Sequence, residues 1–427
     1  MRKILHSDLN NFYASVECLL NPDLKGYPVV VCGRTEDRHG IVLAKNEIAK
    51  KAGIKTGMVL YEAKNLCPNV KCVVAHHDVY LCYSRAVKDI YREYTDRVES
   101  FGIDEAWLDI TNVSKHGGDA AKIAEEISNR IKTEIGLTVS IGVSFNKVFA
   151  KLASDMKKPD AITIVSAENY KEKVWPLPVE NLLYVGRKTK IKLKDMAINT
   201  IGDLARFDRD ILSKKLGKAG EMLSIYARGE DQDVVKTKAE MQEIKSVGNS
   251  LTYYRDIKTD QDAFALITLL AESVSTRMIS YGFSLARTIH LTIVSNELEY
   301  TTRISKMHPT CLAEQIAKEA FALFKKHFAW GNGLVRGLGV AVSDFCKEEQ
   351  LSLDNLTYDT QKKKDLQNTI ENLRSRFGRN IINKAIIFAD KRMQQLNIVE
   401  THTENIGRQV LHGLKEEMVY GSSTHHK

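Results

Sequence analysis

Strand-like and helix-like patterns alternate along the first 167 residues, and this alternation restricts the possible folds more than any other feature of the chain. Apolar strand patterns occupy residues 1–10, 28–32, 106–110, 138–143 and 162–165. Helical spacing of apolar residues marks residues 11–20, 77–94 and 120–136, and residues 41–57 resemble a strand that turns into a basic helix. The β-α-β-β-α-β order predicts a ferredoxin-like domain of the α+β class.

Three carboxylates stand at the ends of predicted strands that are far apart in the chain. Asp8 ends the first strand, and Asp104 and Glu105 precede the strand at 106–110. Neighbouring residues of a strand point to opposite faces, so Asp104 and Glu105 can face one site only at a strand end or a hairpin tip. Gly102, just before them, favours such a bend. An isolated Asp-Glu pair is usually a solvated turn. Together with Asp8, however, the pair suits two divalent cations and phosphoryl-transfer chemistry.

Length, charge and cysteine content define the class of protein. A chain of 427 residues predicts about two to four domains. It contains no twenty-residue apolar run and no signal-peptide pattern, so we expect a cytoplasmic protein without a membrane segment. The net charge of +8 is compatible with a polyanionic partner. Seven cysteines without a CxxC pair predict buried thiols. We interpret His76-His77-Asp78 as a polar turn, and the histidine pair at 425–426 as part of the chain terminus, rather than as metal sites.

Three segments resemble the signature blocks of Y-family translesion DNA polymerases, most closely the DNA polymerase IV branch. They are Met1 to Glu17, FGIDEAWLD at 101–109 and Gly142 to Pro159, and the likeness extends to about Asp344. The resemblance implies an α+β multidomain fold with a ferredoxin-like palm, small fingers, a helical thumb with helix-hairpin-helix units and an α/β little finger. The expected ranges are 1–10 and 77–167 (palm), 11–76 (fingers), 168–236 (thumb), 237–244 (linker), 245–345 (little finger) and 346–427 (tail).

Two glycine-containing stretches of the expected thumb, at 182–196 and 214–229, resemble helix-hairpin-helix units. In such units, backbone N–H groups of a glycine turn approach a nucleic-acid phosphate. The basic run that follows the first glycine favours DNA contact over a plain helical subdomain. The candidate DNA-binding residues are Gly186, Arg187, Lys188 and Lys190.

Residues 245–345 combine strand patterns with two long helices. Ile289, Leu291 and Ile293 alternate with polar residues, which predicts an antiparallel sheet with helices on one side and a polar face for a duplex. The expected tail contains Gln350, Leu351 and Leu353, which resemble the peptide by which such polymerases bind the sliding clamp. The aromatic residue that usually follows in this peptide is replaced by Asp354, which weakens the apolar anchor. The alternative interpretation of this segment is a simple charged connector. Residues 366–377 have an amphipathic pattern.

The resemblance also implies roles for the carboxylates. Asp8 and Asp104 would bridge two Mg²⁺ ions per active site, and Mn²⁺ could substitute. Glu105 would hold the ion that activates the primer end, and the carbonyl of Leu9 would complete the nucleotide-bound site. The expected substrates are deoxynucleoside triphosphates and primed template DNA.

Further residues match nucleotide-binding positions of the family. Tyr13 matches the steric gate that excludes a 2′-hydroxyl, with Phe12 packed below it, and Lys158 matches the lysine that grips the triphosphate. Lys50 stands where the fingers usually supply an arginine, and lysine lacks the bidentate contact. Glu47 replaces a tyrosine that contacts phosphate in relatives. Two milder departures are Asn10, in place of an aspartate, and Gly102, in place of a serine.

Three functions are compatible with these residues. The leading hypothesis is a template-directed, Mg²⁺-dependent lesion-bypass DNA polymerase, monomeric, of low fidelity and without a proofreading exonuclease. A nucleotide cyclase could use the same carboxylates, but it needs no grip on a duplex. A DNA-binding scaffold with an inactive palm is disfavoured by the intact carboxylates.

Overall fold

The structure is a computed structural model that describes residues 1–33, 40–240, 243–346, 358–377, 381–390 and 393. Contacts between residues divide the chain into two compact units. The first comprises residues 1–31 and 42–240, and the second comprises the described residues from 243 onward with those of the 32–41 stretch. Each unit has its own hydrophobic core. The expected boundaries at 10, 76 and 167 lie inside the first unit and stay predictions.

The first part of the chain alternates strands with short helices. The strands are β1 (Ile4–Leu9), β2 (Val29–Cys32), β3 (Val42–Lys45), β4 (Lys71–Val74), β5 (Val98–Ser100), β6 (Glu105–Asp109), β7 (Val139–Ser144) and β8 (Ile162–Val165). The helices are α1 (Phe12–Leu20), α2 (Glu47–Lys51), α3 (Leu60–Leu66), α4 (His77–Arg92), α5 (Ala120–Arg130), α6 (Lys147–Met156), α7 (Tyr170–Lys173), α8 (Arg187–Asp195), α9 (Ile201–Arg206), α10 (Arg209–Leu216) and α11 (Lys218–Arg228).

A five-stranded sheet with the order β5-β6-β1-β7-β8 forms the centre of this unit. β1 is antiparallel to both neighbours, and β7 and β8 are parallel. Leu5 and Leu9 pack into the core shared with α1, α4 and α5, whereas Ile4 packs against Ala150 of α6. Because side chains of a strand alternate between faces, the even-numbered residues of β1 lie on the α6 side.

The structure confirms the main predicted elements of this region, including the strands that end at Asp8 and start near Ala106. The helix expected at 120–136 is α5, continued by a π-helical turn at Ile131–Ile135. The sequence patterns missed β4 and β5. β5 has three residues, and β4 is a largely exposed edge strand, so neither carries the alternating apolar pattern of a half-buried strand.

The second unit combines one sheet with helices on one face. Its elements are β9 (Ser246–Ile257), α12 (Asp260–Ser280), β10 (Leu285–Ser295), β11 (Tyr300–Thr310), α13 (Ala313–His327), β12 (Val335–Cys346) and α14 (Tyr358–Phe377). The strands are all antiparallel in the order β11-β10-β12-β9. Ile289, Leu291 and Ile293 are buried in the same core as α12 and α13, which confirms the predicted face.

Helix α12 is long and apolar enough to cross a membrane, alone among the helices that the structure describes. Its most apolar window is 72% buried inside the protein, where α12 packs into the core of the second unit. A position in the core therefore explains its apolar composition.

Helix α14 occupies the region with the predicted amphipathic pattern and packs against the helical side of the second unit. The buried Arg374 guanidinium donates to the Glu272 carboxylate of α12 at 3.1 Å and to the carbonyl of Ile382 at 2.8 Å. The Gln367 side chain accepts from the backbone N–H of Ala313. The proposed clamp-binding residues, 350, 351 and 353, lie outside the described residues.

The seven cysteines are thiols, as expected from their spacing. The expectation that they are buried is only partly correct. Cys32, Cys67 and Cys82 are buried, whereas Cys72 is exposed and the remaining three are intermediate. Cys72 lies on the exposed edge strand β4, which the sequence patterns had not revealed.

Gly142 allows helix α6 to lie directly on strand β7. A Cβ atom at this position would stand 2.0 Å from the carbonyl oxygen of Ala150 and 2.5 Å from the backbone nitrogen of Ser154. Both atoms belong to the α6 backbone, so a side chain could be accommodated only by moving the helix.

We predict that Gly142→Ala lowers the free energy of unfolding by about 3 kcal/mol or more, because it overpacks backbone against backbone. Urea denaturation followed by circular dichroism measures the change. Gly186→Ala is the matched control, since a Cβ there meets no atom within 4 Å, and it should cost at most about 1 kcal/mol as a helix N-cap change. Equal losses in the two variants would contradict this account.

Candidate active site

The antiparallel pairing of β1 with β6 brings two of the predicted carboxylates together. In this register Asp8 is directly opposite Glu105, and His6 is opposite Trp107. Directly opposed residues of an antiparallel pair project from the same face, here the face covered by α6. Two residues that are distant in sequence therefore become cross-strand neighbours.

Asp104 lies in the turn between β5 and β6, as the sequence predicted for a hairpin tip. Gly102 has a φ of +87°, a left-handed conformation that glycine adopts at little cost. Helix α4 holds this turn, since Ser84 Oγ donates to the carbonyl of Ile103 and Lys88 Nζ donates to the carbonyl of Gly102 at 2.9 Å. The Leu9 N–H donates to the Asp104 carbonyl at 3.1 Å, which ties the turn to the end of β1.

Two lysines from α6 and the segment after it neutralise the carboxylates. Lys151 Nζ lies 2.9 Å from Glu105 Oε1 and 3.2 Å from Asp8 Oδ2. Lys158 Nζ lies 2.6 Å from Asp8 Oδ2 and 2.8 Å from Asp155 Oδ1. Lys158 was predicted from the family motif, whereas Lys151 was missed. Its signal was present in the sequence, because Lys147, Lys151 and Asp155 recur at a helical spacing of four.

Burial and neighbouring charge act in the same direction on the pKa of Asp104 and in opposite directions on the pKa values of the two lysines. Burial raises the pKa of Asp104, and the negative charge of Asp8 raises it further. Burial alone would lower the pKa of Lys151, but the charges of Asp155, Glu105 and Asp8 raise it overall. The pKa of Lys158 is likewise raised, against burial, chiefly by Asp8. The lysines are therefore firmly cationic, and ionisation of Asp104 is disfavoured by its surroundings.

His6 is a fully buried neighbour of the site that sequence reasoning did not identify. Its Nδ1 lies 2.9 Å from Ser154 Oγ, and its Nε2 lies 3.4 Å from Glu105 Oε2. Burial lowers the pKa of His6 to about 3, and the charge of Lys151 lowers it too. His6 is thus a neutral imidazole beside the Glu105 carboxylate.

The arrangement of donors suits a hard divalent cation, although the carboxylates pair with lysines. In the part of the chain that the structure describes, no three side chains of His, Cys, Asp or Glu converge as a ready-made metal cage. Asp8 and Glu105 nevertheless share one face, and Asp104 is close enough to Asp8 and Glu105 for their charges to raise its pKa. Like charges held this close are relieved by a cation with oxygen ligands.

Comparisons with known proteins agree with this geometry. Residues 7–155 match the impB/mucB/samB family, residues 244–355 match the C-terminal domain of that family, and residues 180–231 match the thumb domain of DNA polymerase iota. The chain is 47% identical to DNA polymerase IV of Acetivibrio thermocellus over 92% of this chain and all of the relative. It is 37% identical to DNA polymerase IV 1 of Bacillus subtilis over 90% of this chain and 92% of the relative.

This chain belongs to the Y family of DNA polymerases, in the DNA polymerase IV branch. Solved structures support the family fold. A Y-family polymerase chimera of Dbh and Dpo4 superposes with a TM-score of 0.72 at 23% identity, covering 80% of this chain and 99% of the chimera. DinB from Sulfolobus solfataricus superposes with a TM-score of 0.54 at the same identity and coverage. The predicted α+β multidomain fold is thereby confirmed.

Tyr13, which the sequence predicts as the steric gate, lies in the first turn of helix α1 beside a cluster of aromatic rings. Its ring is stacked on Tyr80, with centroids 4.2 Å apart and planes 14° apart. Phe12 and His77 contact it at an angle, at 5.6 Å and 5.7 Å. Phe12 is buried and Tyr13 is half-buried.

The two departures from the family pattern on the fingers side compensate each other. Glu47 Oε1 accepts a hydrogen bond from Asn11 Nδ2 at 3.0 Å and lies 3.4 Å from Lys50 Nζ. Among the described residues, no hydrogen bond or ion pair joins Lys50 to the three carboxylates. The positive charge of Lys50 thus offsets the carboxylate that replaces the family tyrosine.

Asn10, the third departure, contacts β7 and not the carboxylates. Its amide lies 3.1 Å from Thr138 Oγ1 and 2.8 Å from Ser140 Oγ, and the residue is buried. An aspartate at this position would bury a further negative charge beside the site. The asparagine satisfies the same hydroxyl groups without that charge.

The predicted DNA-binding residues open helix α8, with Gly186 as its N-cap. Gly186, Arg187 and Lys188 are exposed, which leaves their N–H groups and charges accessible to a phosphate. Lys190 is partly covered and lies 2.5 Å from Glu180 Oε1. Arg187 and Lys188 are therefore better placed for a phosphate contact than Lys190.

We predict that Asp104→Asn raises the thermal unfolding midpoint in the absence of divalent metal at pH 7, by about 2–4 °C for each 1 kcal/mol gained. A carboxyl group whose pKa is raised by folding destabilises the folded state once it ionises. The difference from the unmutated protein should therefore shrink as the pH falls toward the unfolded value of about 3.9. Calorimetry with a chelator checks this, and a lower midpoint at pH 7 would contradict it.

Proposed function

We propose that this protein is a template-directed DNA polymerase of the lesion-bypass class, which adds deoxynucleotides to a primer 3′-hydroxyl. The observation that carries the proposal is the carboxylate pair Asp8 and Glu105, opposed across β1 and β6 with Asp104 at the adjoining turn. The relatives from Acetivibrio thermocellus and Bacillus subtilis, which match 92% and 90% of this chain, are named DNA polymerase IV and DNA polymerase IV 1, and this supports the same activity. Low fidelity and the absence of proofreading belong to this proposal.

The proposal includes two Mg²⁺ ions held by Asp8, Asp104, Glu105 and the carbonyl of Leu9, with Mn²⁺ as a substitute. When bound, such ions lower the pKa of the primer hydroxyl and offset the charge of the pyrophosphate that leaves. The protein supplies the carboxylates on a rigid sheet, so their positions need little reorganisation.

Lys158 and Lys151 would supply the remaining positive charge. Lys158 is exposed beside Asp8, and its ammonium can turn from that carboxylate to the triphosphate of a bound nucleotide. Lys151 contacts both Asp8 and Glu105, so it would hold the two carboxylates in place before metal and nucleotide arrive. Both lysines stay protonated at neutral pH because of the neighbouring carboxylates.

DNA would be held outside the carboxylate site by two basic or polar surfaces. The exposed start of α8, with Gly186, Arg187 and Lys188, suits a phosphate. The second unit offers the polar face of its sheet, where Thr292 and Thr302 are hydrogen-bonded to each other across β10 and β11. We further propose a cytoplasmic monomer that binds the sliding clamp through residues 350, 351 and 353.

Primer extension tests the function directly. We expect the unmutated protein to extend a primed DNA template with Mg²⁺ and deoxynucleotides, and Asp104→Ala or Glu105→Ala to lose at least about 100- to 1,000-fold of the rate. Asp109→Asn is the matched control, because Asp109 lies at the other end of β6 and its carboxylate, among the described residues, accepts hydrogen bonds from Thr111 alone. No extension by the unmutated protein would overturn the polymerase, and template-free cyclic nucleotide formation would favour a cyclase.

Tyr13→Ala tests the steric gate. Removing the ring should admit ribonucleotides and lower the preference for deoxynucleotides by roughly 100-fold, since a steric clash worth about 3 kcal/mol is lost. Single-nucleotide insertion kinetics with paired deoxy- and ribonucleoside triphosphates measure the ratio. An unchanged ratio would show that another residue forms the gate.

A further inference from the structure

A buried carboxylate lies one helical turn beyond the proposed steric gate and has no part in the chemistry described so far. Glu17 of α1 is only 5% exposed. A buried ionised side chain is costly unless it is paired and hydrogen-bonded. The partners of Glu17 therefore indicate what its charge is used for.

Both partners of Glu17 come from the start of helix α4. Tyr80 Oη donates a short hydrogen bond to Glu17 Oε1, and His76 Nδ1 lies 2.9 Å from the same oxygen. The hydrogen bond to Glu17 is the main cause that raises the pKa of His76, so the imidazolium is favoured beside the carboxylate. The histidines at 76–78 are thus more than the polar turn expected from the sequence.

The ring of Tyr80 is the platform on which Tyr13 rests. The two rings are stacked at 4.2 Å, and Tyr80 is completely buried. Its hydroxyl end is held by Glu17, while Phe12 meets the ring at an angle with centroids 6.2 Å apart. Because Glu17 and Tyr13 are four residues apart on α1, the carboxylate fixes the platform relative to the helix that carries the gate.

We infer that Glu17 is a positioning residue for sugar selection, which holds Tyr80 by its hydroxyl so that the Tyr13 ring stays at the height that excludes a 2′-hydroxyl. The inference rests on the proposed polymerase function and on Tyr13 as the gate. Without the hydrogen bond, the Tyr80 ring can tilt and slide within the cluster, and the Tyr13 ring stacked on it follows. A small displacement of the gate is enough to weaken a steric clash.

Tyr80→Phe removes the hydroxyl and keeps the ring. We expect the preference for deoxynucleotides over ribonucleotides to fall about tenfold, which corresponds to the loss of one hydrogen bond to a charged group. Glu17→Gln keeps a hydrogen-bond acceptor for Tyr80 but removes the charge. The deoxynucleotide preference should therefore fall less than in Tyr80→Phe, because a hydrogen bond to a neutral acceptor is roughly half as strong as one to a carboxylate. The rate with the correct deoxynucleotide should change much less than the ratio.

Tyr83→Phe is the matched control. Tyr83 lies on the same helix and in the same core, and within the described part of the chain its hydroxyl has no hydrogen-bond partner. Removing that hydroxyl should leave the ratio unchanged. A fall equal to that of Tyr80→Phe would mean that any loss of a hydroxyl from α4 alters selection, and it would overturn the inference.

A double mutant separates positioning from a general structural effect. In a Tyr13→Ala background, Tyr80→Phe should have no further effect on the ratio, because the residue that it positions is absent. Additive effects would overturn the inference, as would an unchanged ratio in Tyr80→Phe or in Glu17→Gln alone. Failure of the proposed function would look different, since the unmutated protein would then insert no nucleotide at all.

Discussion

The register between β1 and β6 is the constraint on which the rest of the candidate site depends. It places Asp8 opposite Glu105 and turns both toward α6. A shift of one residue would send Asp8 to the opposite face, into the core shared with α4 and α5. Leu5 and Leu9 pack on one face of β1 and Ile4 packs on the other. A one-residue shift would move each of these side chains to the opposite face, so their packing opposes the shift. The hydrophobic core thus fixes the carboxylates indirectly.

Close approach of α6 to the sheet is the second requirement, and it depends on a missing side chain. Gly142 of β7 leaves no room for a Cβ beneath the α6 backbone. This contact brings Lys151 within hydrogen-bond distance of two carboxylates from two different strands. Without the lysines, negative charges would face one another at a half-buried site. The site therefore depends both on close packing of α6 against β7 and on ion pairs between lysines and carboxylates.

The site retains one unfavourable feature, which is informative about function. Asp104 lies in a turn braced by Ser84 and Lys88, and burial and the charge of Asp8 both act against its ionisation. A chain selected for stability alone would not keep a carboxylate there. A bound cation would favour the ionised form of this carboxylate. In the aromatic cluster around Tyr13 and Tyr80, one helix carries both the proposed gate, Tyr13, and the carboxylate of Glu17, which accepts a hydrogen bond from Tyr80.

The sequence by itself determined the helices and strands with clear periodicity, the acidic segments and the family. Asp8, Asp104, Glu105, Tyr13 and Lys158 could be named because local motifs carry them, and Gly102 predicted the turn that Asp104 needs. Only the tertiary structure decided which groups meet: Lys151 with two carboxylates, His6 with Glu105, and Glu17 with Tyr80. The physical reason is that local propensity and periodicity act over a few residues, whereas these contacts join residues that only strand register and helix packing bring together.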